Sequence, residues 1–112
     1  MKVKLIAFIL LVIFAGYSHS TTSESSVSDP IVIQMKGYHF SPDKITIAPG
    51  TTIEWVNTGR DVHTVTDKNK VWDSGNLKPG EKFSRRFDEK GTFQYICSPH
   101  EEIGMIGTII VR

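Results

Sequence analysis

From residue 31 onward the chain is a succession of short runs in which apolar and polar residues alternate: Ile31–Met35, Ile45–Ile47, Thr52–Val56, Val62–Val65, Lys82–Phe87, Phe93–Tyr95 and Ile106–Val111. A period of two sends successive side chains to opposite faces of an extended strand, so each run can bury one face and wet the other. Between the runs stand Ala48-Pro49-Gly50, Asn57-Thr58-Gly59, Lys78-Pro79-Gly80 and Glu89-Lys90-Gly91. These supply the glycine and proline that tight turns use. No stretch of helical length carries an apolar stripe, and no internal repeat is present. The pattern predicts an all-β chain, a two-sheet Greek-key β-sandwich of about seven to eight strands, with Phe40, Trp55, Phe87 and Phe93 as core aromatics.

One connection in this pattern is chemically loaded. Cys97, His100 and Met105 fall within nine consecutive residues between the strand-like Thr92–Ile96 and Ile106–Val111. Singly, a cysteine is usually a small buried hydrophobe and a methionine a gap-filler in a core. Together they place a thiolate, an imidazole and a thioether on one loop able to wrap around an ion. Zinc favours closed sets of thiolates and imidazoles at paired spacings, whereas one cysteine with two histidines and a weak axial methionine describes a blue-copper electron-transfer site. His63, on a distant run, is the natural fourth ligand. The expected metal ligands are therefore His63, Cys97, His100 and Met105, around one type 1 copper ion alternating between Cu(I) and Cu(II). Four positions filled by protein suit an electron carrier, since a catalytic metal keeps one position open for water or substrate.

The pattern Tyr95-x-Cys97-x-x-His100-x-x-x-Gly104-Met105-x-Gly107 resembles the ligand loop of the cupredoxins, the blue copper family, with the spacing of its plastocyanin branch. Phe40-Ser41-Pro42, Ile45–Gly50, Trp55-Val56-Asn57 and His63-Thr64-Val65 resemble the first half of the same fold, so the likeness spans roughly residues 31 to 112. Many cupredoxins carry asparagine directly after the first histidine ligand, where it ties the two ligand loops together. This chain has Thr64 there, and its hydroxyl is the candidate substitute. The resemblance also implies that His100 presents its ring edge at the surface among Pro99, Ile103 and Met105, an electron port for transient redox partners. Backbone N–H groups near Thr64 and Ser98 are expected to donate to the Cys97 sulfur.

Met1-Lys2-Val3-Lys4 followed by eleven apolar residues, Leu5–Ala15, matches a secretory signal peptide over residues 1–20. The apolar run is short for a bilayer span. Cleavage after Ser20 and after Gly16 are both compatible, and an uncleaved N-terminal anchor is the alternative. Residues 21–29, rich in serine and threonine, read as a flexible lead-in. Residues 30–112 then form one copper-binding domain, exported or periplasmic. A lone cysteine allows no intrachain disulfide, and ligation would protect its thiol in an oxidising compartment. Without Lys2 and Lys4 the charge is eleven basic against twelve acidic residues, which gives no case for nucleic-acid binding.

The expected function is that of a monomeric carrier shuttling single electrons between larger redox proteins through the surface around His100, not an enzyme and without a small-molecule substrate. Copper delivery is the alternative, as is an accessory electron donor to a copper enzyme. No methionine-rich or histidine-rich tract supports delivery, and three histidines after residue 20 are too few for a trinuclear cluster. Glu101 and Glu102 stand beside the port as steering charges or plain solvated carboxylates. Trp72 is expected to pack, with a recognition role as the alternative. His39 is expected to be structural or solvated.

Overall fold

The computed structural model describes Gly16 and residues 29–112. The expected signal peptide and most of the lead-in lie outside the described residues. Eight strands and one 3₁₀ turn follow: β1 (Ile31–Lys36), β2 (His39–Ser41), β3 (Lys44–Ile47), β4 (Thr51–Asn57), β5 (Thr66–Asp67), β6 (Lys82–Phe87), β7 (Gly91–Ile96), the turn Ser98–Ile103 and β8 (Ile106–Val111). No helix among them is long and apolar enough to cross a membrane.

The strands form two four-stranded sheets, ordered β2-β1-β4-β6 and β3-β8-β7-β5. β1 pairs with β4 and β3 with β8 in parallel. The other neighbours are antiparallel. Because the chain crosses between sheets before most new strands, each sheet is assembled from segments far apart in sequence. Alternation does the rest. Ile53, Trp55 and Asn57 of β4 face inward, as do Ile33 and Met35 of β1 and Ile109 and Val111 of β8. Each large apolar side chain so buried contributes roughly 1.5–3 kcal/mol from surface removed from water.

Of the expected core aromatics, Phe40, Trp55 and Phe87 are buried, and Phe93 packs partly buried against them. Tyr95 joins this core, edge-on to Phe40 at 4.6 Å and to Trp55 at 5.3 Å between ring centroids. Trp72 is a packing residue. It stacks on Phe83 at 6.2 Å with its plane 16° away, touches Trp55, and carries the Arg85 guanidinium 4.9 Å above its ring.

Two local readings change. Val62–Val65 does not become a strand, because no continuous ladder forms along it: His63 bonds Leu77, while the Val65 carbonyl accepts the Ser74 N–H. Isolated bridges between His63 and Leu77 and between Thr66 and Asp73 form there, together with the two-residue β5. Conversely, His39–Ser41 pairs with β1 as a short strand of three residues, too brief for alternation to declare.

Candidate metal centre

His63 owes its position to backbone. Its N–H donates to the Leu77 carbonyl at 3.0 Å, and its carbonyl accepts the Leu77 N–H at 2.7 Å. The loop ahead of it is fastened by Asn57, buried at the end of β4. The Asn57 Nδ2 donates to the carbonyls of Asp61 (2.8 Å) and Leu77 (2.9 Å), and its Oδ1 accepts the Gly59 N–H at 2.9 Å. The sequence marks Asn57 as a turn residue and as part of the Trp55-Val56-Asn57 resemblance, not as a clamp on the ligand loop. Its role comes from three chain segments meeting at one amide.

The second ligand segment closes on itself. The Cys97 N–H donates to the Met105 carbonyl at 3.0 Å, the Met105 N–H to the His100 carbonyl at 3.2 Å, and the His100 N–H to the Cys97 carbonyl at 2.9 Å. Pro99 stands second in the 3₁₀ turn that Ser98 begins, and Gly104 caps its end in the left-handed region at φ 85°, a conformation that costs glycine little. The two ends of the loop, Cys97 and Met105, are thereby set side by side.

Side chains from both segments converge. The Cys97 Sγ lies 3.6 Å from the His63 Nδ1 and 3.3 Å from the His100 Nδ1, and the three ligating atoms all fall within 4.8 Å of one another. Cys97, His63 and Met105 are fully buried, while His100 is half-buried. Burial pushes the His63 pKa below its usual value, helped by His100 and opposed by Asp61. Burial also pushes the Cys97 thiol up, against the Thr64 and His100 backbone N–H groups and the Thr64 side chain. Both groups are thus held neutral, and a cation binding there displaces the thiol proton. The His63 Nε2 is buried with no hydrogen-bond partner among the described residues, at a cost of about 1–3 kcal/mol. Two imidazole nitrogens and one thiolate in a dry pocket fit copper. A hard, oxygen-seeking cation finds nothing there.

Thr64 does tie the ligand segments together. Its Oγ1 accepts the Ser98 N–H at 2.9 Å, and its own N–H donates to the Cys97 Sγ at 3.4 Å. Of the two N–H groups expected to reach the sulfur, only that of Thr64 does so, since the Ser98 N–H is taken by the threonine hydroxyl. Around His100, Pro99 and Ile103 are exposed, but Met105 is wholly inside and forms no part of the rim. Tyr38, from the β1–β2 turn, instead covers the imidazole at 4.8 Å between ring centroids. Glu101 and Glu102 are exposed on the 3₁₀ turn, and His39 is exposed on β2, outside the cluster.

A family model for copper binding proteins of the plastocyanin/azurin family matches residues 28–112. The chain belongs to that family. Over 84 residues it is 37% identical to plastocyanin from Scenedesmus fuscus, a match covering 65% of this chain and 86% of the other. It is 29% identical over 104 residues to halocyanin from Natronomonas pharaonis, covering 86% of this chain and 64% of the other, so it spans less than two thirds of that relative. Among solved structures, a reduced mutant of amicyanin superposes with a TM-score of 0.69 at 25% identity, over 78% of this chain and 87% of that one. The sandwich is thus the cupredoxin sandwich, and copper is the metal its donor set serves.

Proposed function

We propose that His63, Cys97 and His100 hold one type 1 copper ion in a trigonal set with Met105 as its weak axial ligand, and that the protein carries single electrons between larger redox proteins. One observation carries this reading: two histidine Nδ1 atoms from different chain segments meet one buried cysteine sulfur at 3.6 and 3.3 Å. Copper, when bound, supplies a one-electron couple whose potential is tuned by the axial ligand and by hydrogen bonding at the sulfur. The chain does the rest. Loop closure between Cys97 and Met105 and the clamps on His63 keep the donors in one arrangement, so little needs to move between oxidation states. Burial of Cys97, His63 and Met105 keeps water and substrates away, which separates a carrier from a copper enzyme.

His100, half-buried behind Tyr38 and flanked by exposed Pro99 and Ile103, is the route by which electrons enter and leave. Partners dock there briefly, as small redox interfaces require. Glu101 and Glu102 favour a basic partner, and the protein acts as a monomer. Residues 30–112 are the working domain. Residues 1–20 direct it out of the cytoplasm, free or held by an uncleaved N-terminus.

The test is an optical and EPR spectrum after adding Cu(II), expected to show intense blue thiolate-to-copper absorption with a narrow hyperfine splitting. Cys97→Ser should abolish the colour, and Met105→Gln should keep it while lowering the potential. A pale, wide-splitting spectrum would sink the type 1 assignment and bring copper delivery forward.

A further inference from the structure

A chain of hydroxyl groups runs from the ligand loops to the surface of the sandwich. The Thr64 Oγ1 lies 2.9 Å from the Thr66 Oγ1, which lies 3.2 Å from the Asp73 Oδ1 and 3.2 Å from the Ser98 Oγ. Thr64 and Thr66 are buried, whereas Ser98 and Asp73 are exposed. Asp73 itself is fixed, since its backbone bridges Thr66 and its Oδ1 accepts the Gly75 N–H at 2.8 Å.

A hydroxyl has one proton to give and can accept two, while a carboxylate only accepts. That inventory sets every direction in the chain. Thr66 must give its single proton to Asp73, so it accepts from both Thr64 and Ser98. Thr64, its proton spent on Thr66, is left as an acceptor toward the Ser98 N–H. It therefore has no proton to spare for the Cys97 sulfur beside it, whose donors are backbone N–H groups, that of Thr64 at 3.4 Å and that of His100.

We infer that Asp73, acting through Thr66, is a positioning residue for the copper site. Its carboxylate draws the hydroxyl protons outward and withholds the Thr64 hydroxyl from the Cys97 thiolate. This rests on the ligand assignment proposed above. Removing the carboxylate frees the Thr66 proton to turn back toward Thr64, whose own proton then swings to the sulfur. A further donor at the thiolate lessens its donation to the metal and raises the reduction potential. Asp73, on the segment between β5 and β6, thereby sets the potential without touching a ligand.

The experiment is a double-mutant cycle on the copper-loaded protein, Asp73→Ala with and without Thr64→Val, followed by potential and by the energy of the thiolate-to-copper band. Asp73→Ala alone should raise the potential and shift the band to higher energy. In the Thr64→Val background, where no hydroxyl remains to turn, the same substitution should leave the band in place and lose most of its effect on potential. An equal rise in both backgrounds would mean that Asp73 acts only as a through-space charge, and would overturn the inference. The copper-free protein tests the network independently of the ligand assignment. Thr66→Val should lower its melting temperature and Thr66→Ser should restore it, because only the hydroxyl links Thr64 to Asp73. A Thr66→Val protein that melts unchanged would show that the chain is not formed. Should Thr66→Val fail to fold, the cycle at positions 64 and 73 still decides.

Discussion

Tyr95 and Gly107 face each other across β7 and β8, and the tyrosine ring fills the volume that a side chain at position 107 would need. A β-carbon there would overlap the Tyr95 Cζ and hydroxyl. The glycine two residues after Met105 is thus a packing requirement of the tyrosine two residues before Cys97. The ring bridges the strands on either side of the ligand loop.

Gly107→Ala should accordingly cost about 3 kcal/mol of unfolding free energy, because the ring is boxed in by Phe40 and Trp55 and has nowhere to retreat. Urea denaturation of the copper-free protein measures it. A loss below about 1 kcal/mol would show that Tyr95 can move aside.

Tyr95 also makes alkaline stability predictable. Burial raises its pKa from 10.0 to about 12, opposed by the Trp55 indole and aided by Asp43. The unfolded chain releases the phenolic proton from pH 10.0 while the folded chain holds it to about pH 12, so stability falls as pH rises through that window. The drop should be roughly 2–3 kcal/mol for this group, and absent in Tyr95→Phe. Denaturant titrations from pH 9 to 12 on both proteins test it. Parallel curves would exclude Tyr95 as the source.

Copper uptake should be coupled to protons in one direction. The thiol of Cys97 is held above its usual pKa and His63 below, so near pH 8 binding should release about one proton, from the cysteine, and none from His63. Calorimetry in buffers of different ionisation enthalpy counts it. Affinity should therefore strengthen as pH rises toward the thiol pKa, and a proton count near zero would contradict a protonated Cys97.

Asn57→Ala removes three hydrogen bonds and strands buried backbone partners of the loop leading into His63. A loss of about 2–4 kcal/mol is expected. Copper affinity should fall with it, because His63 depends on that loop. Chemical denaturation together with a copper competition titration would separate the two effects. Unchanged affinity would mean that the Leu77 bridge alone holds the ligand.

Tyr38→Ala should uncover the His100 edge and speed oxidation of the copper-loaded protein by ferricyanide several-fold, while the blue band stays where it is. An unchanged rate would show that the ring is no barrier at the port.

The contrast between legible and hidden parts follows from distance along the chain. Cys97, His100 and Met105 could be read together because one loop carries them, and the strands flanking it show their alternation openly. His63 could be named from its chemistry, but not its setting, since the Leu77 backbone and the Asn57 amide that fix it are brought to it only by the fold. The replacement of an asparagine by Thr64 was visible. Its partner Ser98 was not, because hydrogen bonds between residues 32 or 34 positions apart leave no local pattern, and the short links from Thr64 to Thr66 and on to Asp73 depend on which way the folded backbone turns each hydroxyl. Tyr38 over His100 is hidden for the same reason, the two rings meeting only once β1 and β2 are folded.

The place of β8 between β3 and β7 has a consequence for synthesis. As the polypeptide leaves the ribosome, β3 and β7 have no partner in common until Ile106–Val111 has emerged, because they never pair with each other. Until then the Cys97 N–H also lacks the Met105 carbonyl that closes the ligand loop. A nascent chain ending at Gly104 therefore has its cysteine and the short β5–β7 pairing but not the strand that joins them to β3, and the copper pocket is among the last things the molecule builds.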